Sequence, residues 1–179
     1  MIKYHERIYR VNLRAEAFEY KYNSALTPFN LSVMMKQKIP EVEQTVRVLK
    51  GSHKRVSYND IHYSANRFYY TDQSIFNIFS IPVLMGDKKT LLTEKFTVVI
   101  TEETARKYFG SKDPLGEIIY LDNGWKFRVT GVCESAPENT HRQFDFLAAL
   151  LAVIAALITV SFQSLKSAKA NPVRALQYE

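Results

Sequence analysis

The feature that most constrains this chain is a stretch of twenty uncharged residues near its carboxyl end, residues 146–165. Eleven of the twenty are Leu, Ile, Val or Phe. A helix of this length measures about 30 Å, which matches the hydrocarbon core of a bilayer. A buried helix of a soluble domain would show a polar face, and this stretch lacks one. We therefore predict a transmembrane helix at residues 146–165.

The charges beside this stretch predict how it crosses the membrane. Lys166, Lys169 and Arg174 follow it, whereas no basic excess precedes it. Since cytoplasmic flanks of membrane helices are enriched in Lys and Arg, these three cations set the topology. We expect the tail, residues 166–179, to be cytoplasmic and the domain formed by residues 1–145 to be extracytoplasmic.

The amino-terminal residues leave the route of export open. Residues 1–12 are charged and polar and do not resemble a signal peptide or signal anchor. Two explanations are compatible with this. An upstream membrane helix is missing from the chain, or the protein is tail-anchored with its domain in the cytoplasm.

Small residues recur along the predicted membrane helix. Ala148, Ala152 and Ala156 are spaced four residues apart, which places them on one helical face and allows a second helix to approach closely. Alanine is also simply common in such helices, so both explanations stay open. If the face is an interface, its partner is the same helix in a second copy of the chain or another helix in the membrane.

Composition excludes several classes of protein. Lys and Arg number 24 against 18 Asp and Glu, and the excess is spread without a block of five basic residues, which argues against nucleic-acid binding. The only cysteine, Cys133, excludes a disulfide framework and a cysteine-based zinc cluster. As the last apolar residue of an alternating segment, Cys133 is predicted to be a core residue rather than a nucleophile.

Motifs that would indicate catalysis are missing from the sequence. No two of the four histidines have metal-ligand spacing, and no serine lies in a G-x-S-x-G context. Residues 86–90 faintly resemble a phosphate-binding loop, but Lys88 stands where that loop needs a glycine. We expect a protein without enzymatic activity, metal or cofactor.

Apolar periodicity predicts about six strands and three short helices before the membrane segment. The predicted strands are residues 8–13, 42–48, 61–70, 96–100, 118–121 and 125–133, and the helices begin after Thr27, Asp72 and Thr101. Because strands dominate and several are neighbours along the chain, an α+β domain with a mixed sheet is favoured over a doubly wound α/β fold.

Local signals mark several boundaries within this domain. Thr101 is placed to cap a helix and Gly110 to end it. Residues 122–124, Asp-Asn-Gly, indicate a hairpin turn. The apolar alternation shifts between Ala65 and Phe68, which predicts a bulge in that strand.

Several segments together resemble one protein family. They match the extracytoplasmic core domain of FtsX/MacB-like ABC-transporter permeases in order and spacing. These segments are VVITEETA at 98–105, YFG at 108–110, DPLG at 113–116, VTGV at 129–132 and RIYRV at 7–11. The final apolar stretch and residues 168–176 resemble the last transmembrane helix and cytoplasmic tail of the same permeases.

The resemblance implies a permease component of the cell (inner) membrane that works with a separate ABC ATPase subunit. In this family the extracytoplasmic domain relays ATP-driven motion, and substrates include lipoproteins, peptides and drugs. A full member has further helices before and after the domain. We therefore interpret the chain as an internally shortened permease, in which the core domain is joined directly to the last membrane helix at Phe146 or Leu147. The alternative is a single-pass anchored interaction domain without a transport role.

Overall fold

The computed structural model describes residues 7–17, 20–24, 27–28, 30–51, 54–59, 61–122, 124–135 and 143–151. Within these residues, strands and short helices alternate in an α+β arrangement, which confirms the predicted fold class. The strands are β1 (Leu13–Ala17), β2 (Tyr20–Ser24), β3 (Val48–Lys50), β4 (Lys54–Tyr58), β5 (Ile61–Ala65), β6 (Phe68–Thr71), β7 (Val83–Met85), β8 (Thr97–Thr101), β9 (Ile118–Leu121), β10 (Trp125–Cys133) and β11 (Phe146–Ala149). The helices are α1 (Leu31–Lys38), α2 (Ile75–Ile78) and α3 (Glu102–Phe109).

Nine of these strands form one mixed sheet, and β1 and β2 form a separate antiparallel hairpin. The order in the large sheet is β3-β6-β11-β8-β10-β9-β4-β5, with β7 paired to β10. Strands β6 and β11 are parallel, as are β8 and β10, whereas the other pairs are antiparallel. The three strands at the centre of this order are β11, β8 and β10.

Strand β3 pairs with β6 and strand β4 pairs with β5, both antiparallel, so these four strands have the pairing order of one long hairpin. Just beyond β3, the Gly51 N–H donates to the Phe68 carbonyl, 2.9 Å away. One half of the hairpin therefore pairs with β11 and the other half with β9. The sequence predicts an irregularity between Ala65 and Phe68, and the strand is interrupted there.

Helix α3 forms as its local chemistry predicts. The Thr101 hydroxyl oxygen accepts a hydrogen bond from the Thr104 N–H, 3.3 Å away, which caps the amino end. Glu102 and Glu103 lie in the first turn, where the helix dipole favours negative charge. Gly110 ends the helix with φ of +61°, a conformation that glycine adopts without steric cost.

The two faces of the sheet are covered by different elements. On one face, aromatic rings of α3 pack against the sheet, for example Tyr108 against Phe146 with ring centroids 5.8 Å apart. On the other face, Phe76 of α2 and Leu91 of the following loop pack against Val99. The central strands are therefore buried on both sides, which excludes water from their hydrogen-bond ladders.

The first fifty residues depart most from the sequence predictions. Helix α1 begins at Leu31 rather than after Thr27, and none of its eight residues is buried. The first strand is β1 rather than residues 8–13, and the predicted strand at 42–48 reduces to β3. Just after them, strand β4 forms where the sequence pattern predicts no strand. Since alternation over a few residues signals a strand weakly, cross-strand pairing decided these boundaries.

The predicted membrane helix is wrong at its first four residues. Phe146–Ala149 is strand β11, and all four residues are buried. A strand covered on both faces is a continuous apolar run, so its composition matches that of a membrane helix. The domain boundary predicted after Asp145 is wrong for the same reason, since the sheet extends past it. In the part of the chain that the structure describes, no helix is long and apolar enough to cross a bilayer.

Candidate functional site

Strand β11 connects the middle of the sheet to the apolar carboxyl-terminal segment. Ala148 pairs with Tyr70 of β6 on one side and with Val98 of β8 on the other. The Leu150 N–H then donates to the Thr71 carbonyl, 2.9 Å away. The next residue, Leu151, is 39% exposed and directly precedes the uncharged residues 152–165. A displacement of that segment would therefore act directly on the central strands.

The start of β11 is tied to two other elements around Asp145. The Thr101 N–H, at the start of α3, donates to the Asp145 carbonyl at 3.1 Å. The Asp145 N–H donates to the Arg67 carbonyl at 2.9 Å, and the Arg67 guanidinium lies 3.9 Å from the Asp145 carboxylate. Burial raises the pKa of Asp145, and the charge of Arg67 opposes this rise. The strand is thus held at both ends as well as along its length.

A second connection joins the segment before β3 to the end of β6. The Asp72 carboxylate accepts three hydrogen bonds from Arg47: one from the backbone N–H at 3.0 Å and two from the guanidinium at 2.8 and 2.6 Å. The Thr71 hydroxyl donates to the Arg47 carbonyl at 2.9 Å. The hydrogen bonds to Asp72 raise the pKa of Arg47. This bidentate contact fixes the turn into α2.

A third polar group, Tyr58, Lys112 and Glu117, joins the loop after α3 to the sheet. The Tyr58 hydroxyl donates to one Glu117 oxygen at 2.7 Å, and the Lys112 ammonium lies 2.9 Å from the Tyr58 oxygen and 3.0 Å from the other Glu117 oxygen. The hydrogen bonds with Tyr58 are the main cause that raises the pKa of Lys112 and lowers that of Glu117. Both groups stay charged at neutral pH, which suits a structural clamp better than proton transfer.

The sole cysteine is held in an unreactive state. Cys133 is fully buried at the end of β10, and its thiol donates to the Ile100 carbonyl at 3.6 Å. Burial raises the pKa of the thiol to about 12, so the nucleophilic thiolate is scarce at neutral pH. Cys133 thus suits the core role that the sequence predicts, and the absence of enzymatic activity stays a prediction.

An exposed aromatic patch, which we define as Phe96, Trp125 and Lys126, lies where β8 and β10 begin. The rings of Phe96 and Trp125 stack with centroids 5.6 Å apart and an interplanar angle of 27°. Trp125 is nevertheless 51% exposed. With Gly124, these residues line an open groove of about 320 Å³.

The backbone of Phe96 has a strained conformation that orients its ring within this patch. Its φ is +58°, in the left-handed region that bulky residues rarely adopt, at a cost of about 1 to 3 kcal/mol. The Phe96 carbonyl accepts the Arg128 N–H at 2.9 Å, which holds this conformation. The strained residue thus places its ring against Trp125 and fixes the direction of the exposed indole.

The residues predicted as functional from sequence fall into two groups. Ala148 lies fully buried in β11, so the prediction that it packs on a partner helix is wrong. The remaining five lie outside the described residues, and their roles stay predictions: Ala152 and Ala156 for helix packing, and Lys166, Lys169 and Arg174 for topology.

The sequence pattern does not indicate the aromatic patch. Trp125 has the same alternation as Phe127 and Val129, which are buried, so the pattern predicts a buried ring. Its exposure results from its place at the first position of β10, beside the turn at residues 122–124. A lone tryptophan next to a hairpin turn is the only signal that could have indicated it.

Comparison with known proteins supplies the remaining evidence on identity. A domain ascribed to a permease of Porphyromonas gingivalis is similar in structure, with a TM-score of 0.61, 22% identity, and coverage of 68% of this chain and 56% of that one. The periplasmic region of MacB from Actinobacillus actinomycetemcomitans has a TM-score of 0.51 and 19% identity, with 68% and 53% covered. This chain therefore matches little more than half the length of either structure. No curated protein matches the sequence.

A family model matches the chain over nearly its whole length and thereby identifies the family. Residues 1–174 match the family described as the MacB-like periplasmic core domain. The two structural similarities independently show the same fold. The resemblance noted in the sequence is thereby confirmed, and the chain belongs to the family of MacB-like periplasmic core domains.

Proposed function

We propose that this chain is a membrane permease component of an FtsX/MacB-like ABC transporter, with an extracytoplasmic domain that relays motion or binds partners. Residues 152–165 anchor it in the membrane, and a separate ATPase supplies the energy. As a helix these fourteen residues measure about 21 Å, so they cross a bilayer that is locally thinner than 30 Å. The observation that carries the proposal is the central position of β11, whose end leads directly into this apolar segment. Membership of the family supports the assignment to a permease.

The way β11 is held suits the transmission of motion. A pull along the strand is resisted by the ladder to β6 and the ladder to β8 at the same time, because both run parallel to the strand axis. The clamps at Asp145 and at the Leu150 N–H add hydrogen bonds at its two ends. The domain would therefore move as one body with its anchor, and β11 would stay paired in the sheet.

Partnership with an ATPase is tested by purifying the full chain, tagged, from membranes of its own host in mild detergent. We expect an ABC ATPase among the co-purified proteins when they are identified by mass spectrometry. As a matched control, the same tag is placed on an unrelated single-span protein of that membrane. Recovery of the chain without any ATPase would contradict the transporter assignment and favour a solitary anchored interaction domain.

Topology is tested separately by adding protease to spheroplasts that carry the full chain. An extracytoplasmic domain should be degraded from outside while a tag beyond residue 179 stays protected. Neutral replacements of Lys166, Lys169 and Arg174 should give mixed orientation, since the positive flank would be lost. A domain that resists external protease but is cleaved after lysis would indicate the tail-anchored cytoplasmic arrangement.

A further inference from the structure

We propose that the aromatic patch of Phe96, Trp125 and Lys126 rests on the membrane surface. In this arrangement the Trp125 indole lies among the lipid headgroups, and the nearby lysines face anionic phospholipids. The inference depends on the proposed function, because it assumes that residues 152–165 hold the domain beside the bilayer.

The register of the central strands places the patch at the edge of the sheet where the chain leaves it. Strand β8 lies between β11 and β10, and Val98 pairs with Ala148 on one side and with Val129 on the other. Trp125 lies four residues beyond this row along β10, or about 13 Å at 3.3 Å per residue, and β11 runs to the same edge and ends at Ala149, one residue beyond the row. Two strand spacings, about 10 Å, separate them sideways.

This geometry brings Trp125 to the bilayer if the chain enters it soon after Leu151. The indole lies at the same edge as Leu151, and Trp125 lies further beyond the row of Val98 than the end of β11 does. Membrane-anchored residues 152–165 would therefore hold the indole within reach of the headgroup region.

The chemistry of the patch suits the interface between water and lipid. Tryptophan is enriched there because its apolar ring carries a polar N–H. Tyr120, on β9 beside Lys126, is also exposed, and the Lys126 ammonium lies 5.9 Å from the centre of its ring. A ring system with lysines at its border is the composition that peripheral membrane segments use.

The charges at this edge complement an anionic surface. Lys95 and Lys126 are exposed, and neither forms an ion pair within the part of the chain that the structure describes. Of the nearby acidic groups, Glu94 pairs with Arg128, and Asp122, whose carboxylate accepts the neutral Arg55 N–H at 3.0 Å, offsets only one of the two lysines. The excess charge facing outward is therefore positive, and phospholipid phosphates attract it.

The proposal can be tested with the protein's own fluorescence, because Trp125 is the only tryptophan. The full chain is reconstituted into vesicles of phosphatidylcholine and phosphatidylglycerol, with and without bromine on the acyl chains next to the glycerol backbone. Bromine quenches indole at short range. We expect the brominated lipid to reduce Trp125 emission. We also expect the emission maximum of the reconstituted chain to lie at a shorter wavelength than that of the unfolded chain in the absence of detergent.

A matched control moves the only indole to the far edge of the sheet. The variant Leu84→Trp in a Trp125→Phe background serves, since Leu84 is 50% exposed and its neighbour Met85 pairs with Val132. Val132 is seven residues from Trp125 along β10, or about 23 Å. We expect brominated lipid to leave the emission of this variant unchanged.

The contribution of the lysines is tested in the wild-type background. Lys95→Gln combined with Lys126→Gln should reduce quenching in vesicles that contain phosphatidylglycerol and should have little effect in phosphatidylcholine alone. Quenching that depends neither on the lysines nor on the anionic lipid would refute the electrostatic part of the proposal.

Four outcomes would overturn the proposal. Unquenched Trp125 in a chain that floats with vesicles would refute it and leave the membrane anchor intact. Equal quenching of Trp125 and of the Leu84→Trp variant would show that no particular edge faces the lipid. Unquenched Trp125 that is shielded from aqueous iodide would indicate a protein surface instead. A chain that fails to float would refute the anchor, and the proposal with it.

Discussion

At the scale of single residues, the structure distinguishes polar pairs that matter for stability from pairs that do not. Asp72 receives three hydrogen bonds from Arg47, and both side chains are about three-quarters buried. Asp72→Ala should lower the free energy of unfolding by about 1 to 3 kcal/mol, because hydrogen bonds to a charged group are lost within the fold. Urea unfolding monitored by circular dichroism measures this change.

The exposed pair Arg128–Glu94 is the control for that prediction. Both side chains are about half exposed or more, so water and salt weaken their attraction. Glu94→Ala should change the free energy of unfolding by less than about 1 kcal/mol. If the two substitutions cost the same, burial does not set the strength of these pairs, and the clamp at Asp72 has no special role.

The single cysteine provides a second test at this scale. Because burial raises the pKa of Cys133 to about 12, the folded protein should react very slowly with a thiol reagent at neutral pH. The reaction should accelerate only as the pH approaches that value or when denaturant unfolds the chain. Absorbance after addition of Ellman's reagent follows it, and rapid stoichiometric reaction of the native protein would contradict a buried Cys133.

At the scale of elements, Ala148 distinguishes a strand from a membrane helix. In β11 its side chain is 0% exposed between two packed faces, so Ala148→Leu should destabilise the domain by about 1 to 3 kcal/mol through overpacking. On a helix face in lipid the same change would leave the domain unaffected. Urea unfolding tests this, and Ser64→Leu, at an exposed position of β5, should cost no more than about 0.5 kcal/mol.

The same distinction changes how the predicted helix interface should be tested. Enlarging all three alanines would disturb the sheet through Ala148 and would mimic a loss of association. Enlarging Ala152 and Ala156 alone leaves β11 intact. Only the double variant therefore reports on helix packing.

At the scale of the whole molecule, the position of β11 predicts where the domain can be truncated. A chain ending at Leu151 retains every strand of the sheet, whereas a chain ending at Asp145 removes a strand between β6 and β8. The shorter chain exposes two hydrogen-bonding edges and the apolar cores on both faces. We expect a cooperative unfolding transition for the longer chain and none for the shorter one. Equal cooperativity of the two would show that β11 is dispensable.

Local chemistry was sufficient wherever an element is specified by its own residues. The cap at Thr101, the acidic first turn and the terminal Gly110 all act within a few residues, so α3 could be predicted with its boundaries. The hairpin of β9 and β10 follows equally from a turn between two alternating segments. The family could likewise be recognised, because its segments occur in order along the chain.

The amino-acid sequence alone determined the α+β class, the helix and hairpin signals and the family of this protein, since each depends on neighbouring residues or on their order. Tertiary structure decided that Phe146–Ala149 is a central strand and that the Trp125 ring is exposed. An apolar run carries the same composition in a strand covered on both faces as in a membrane helix, and only the strands paired beside it distinguish the two.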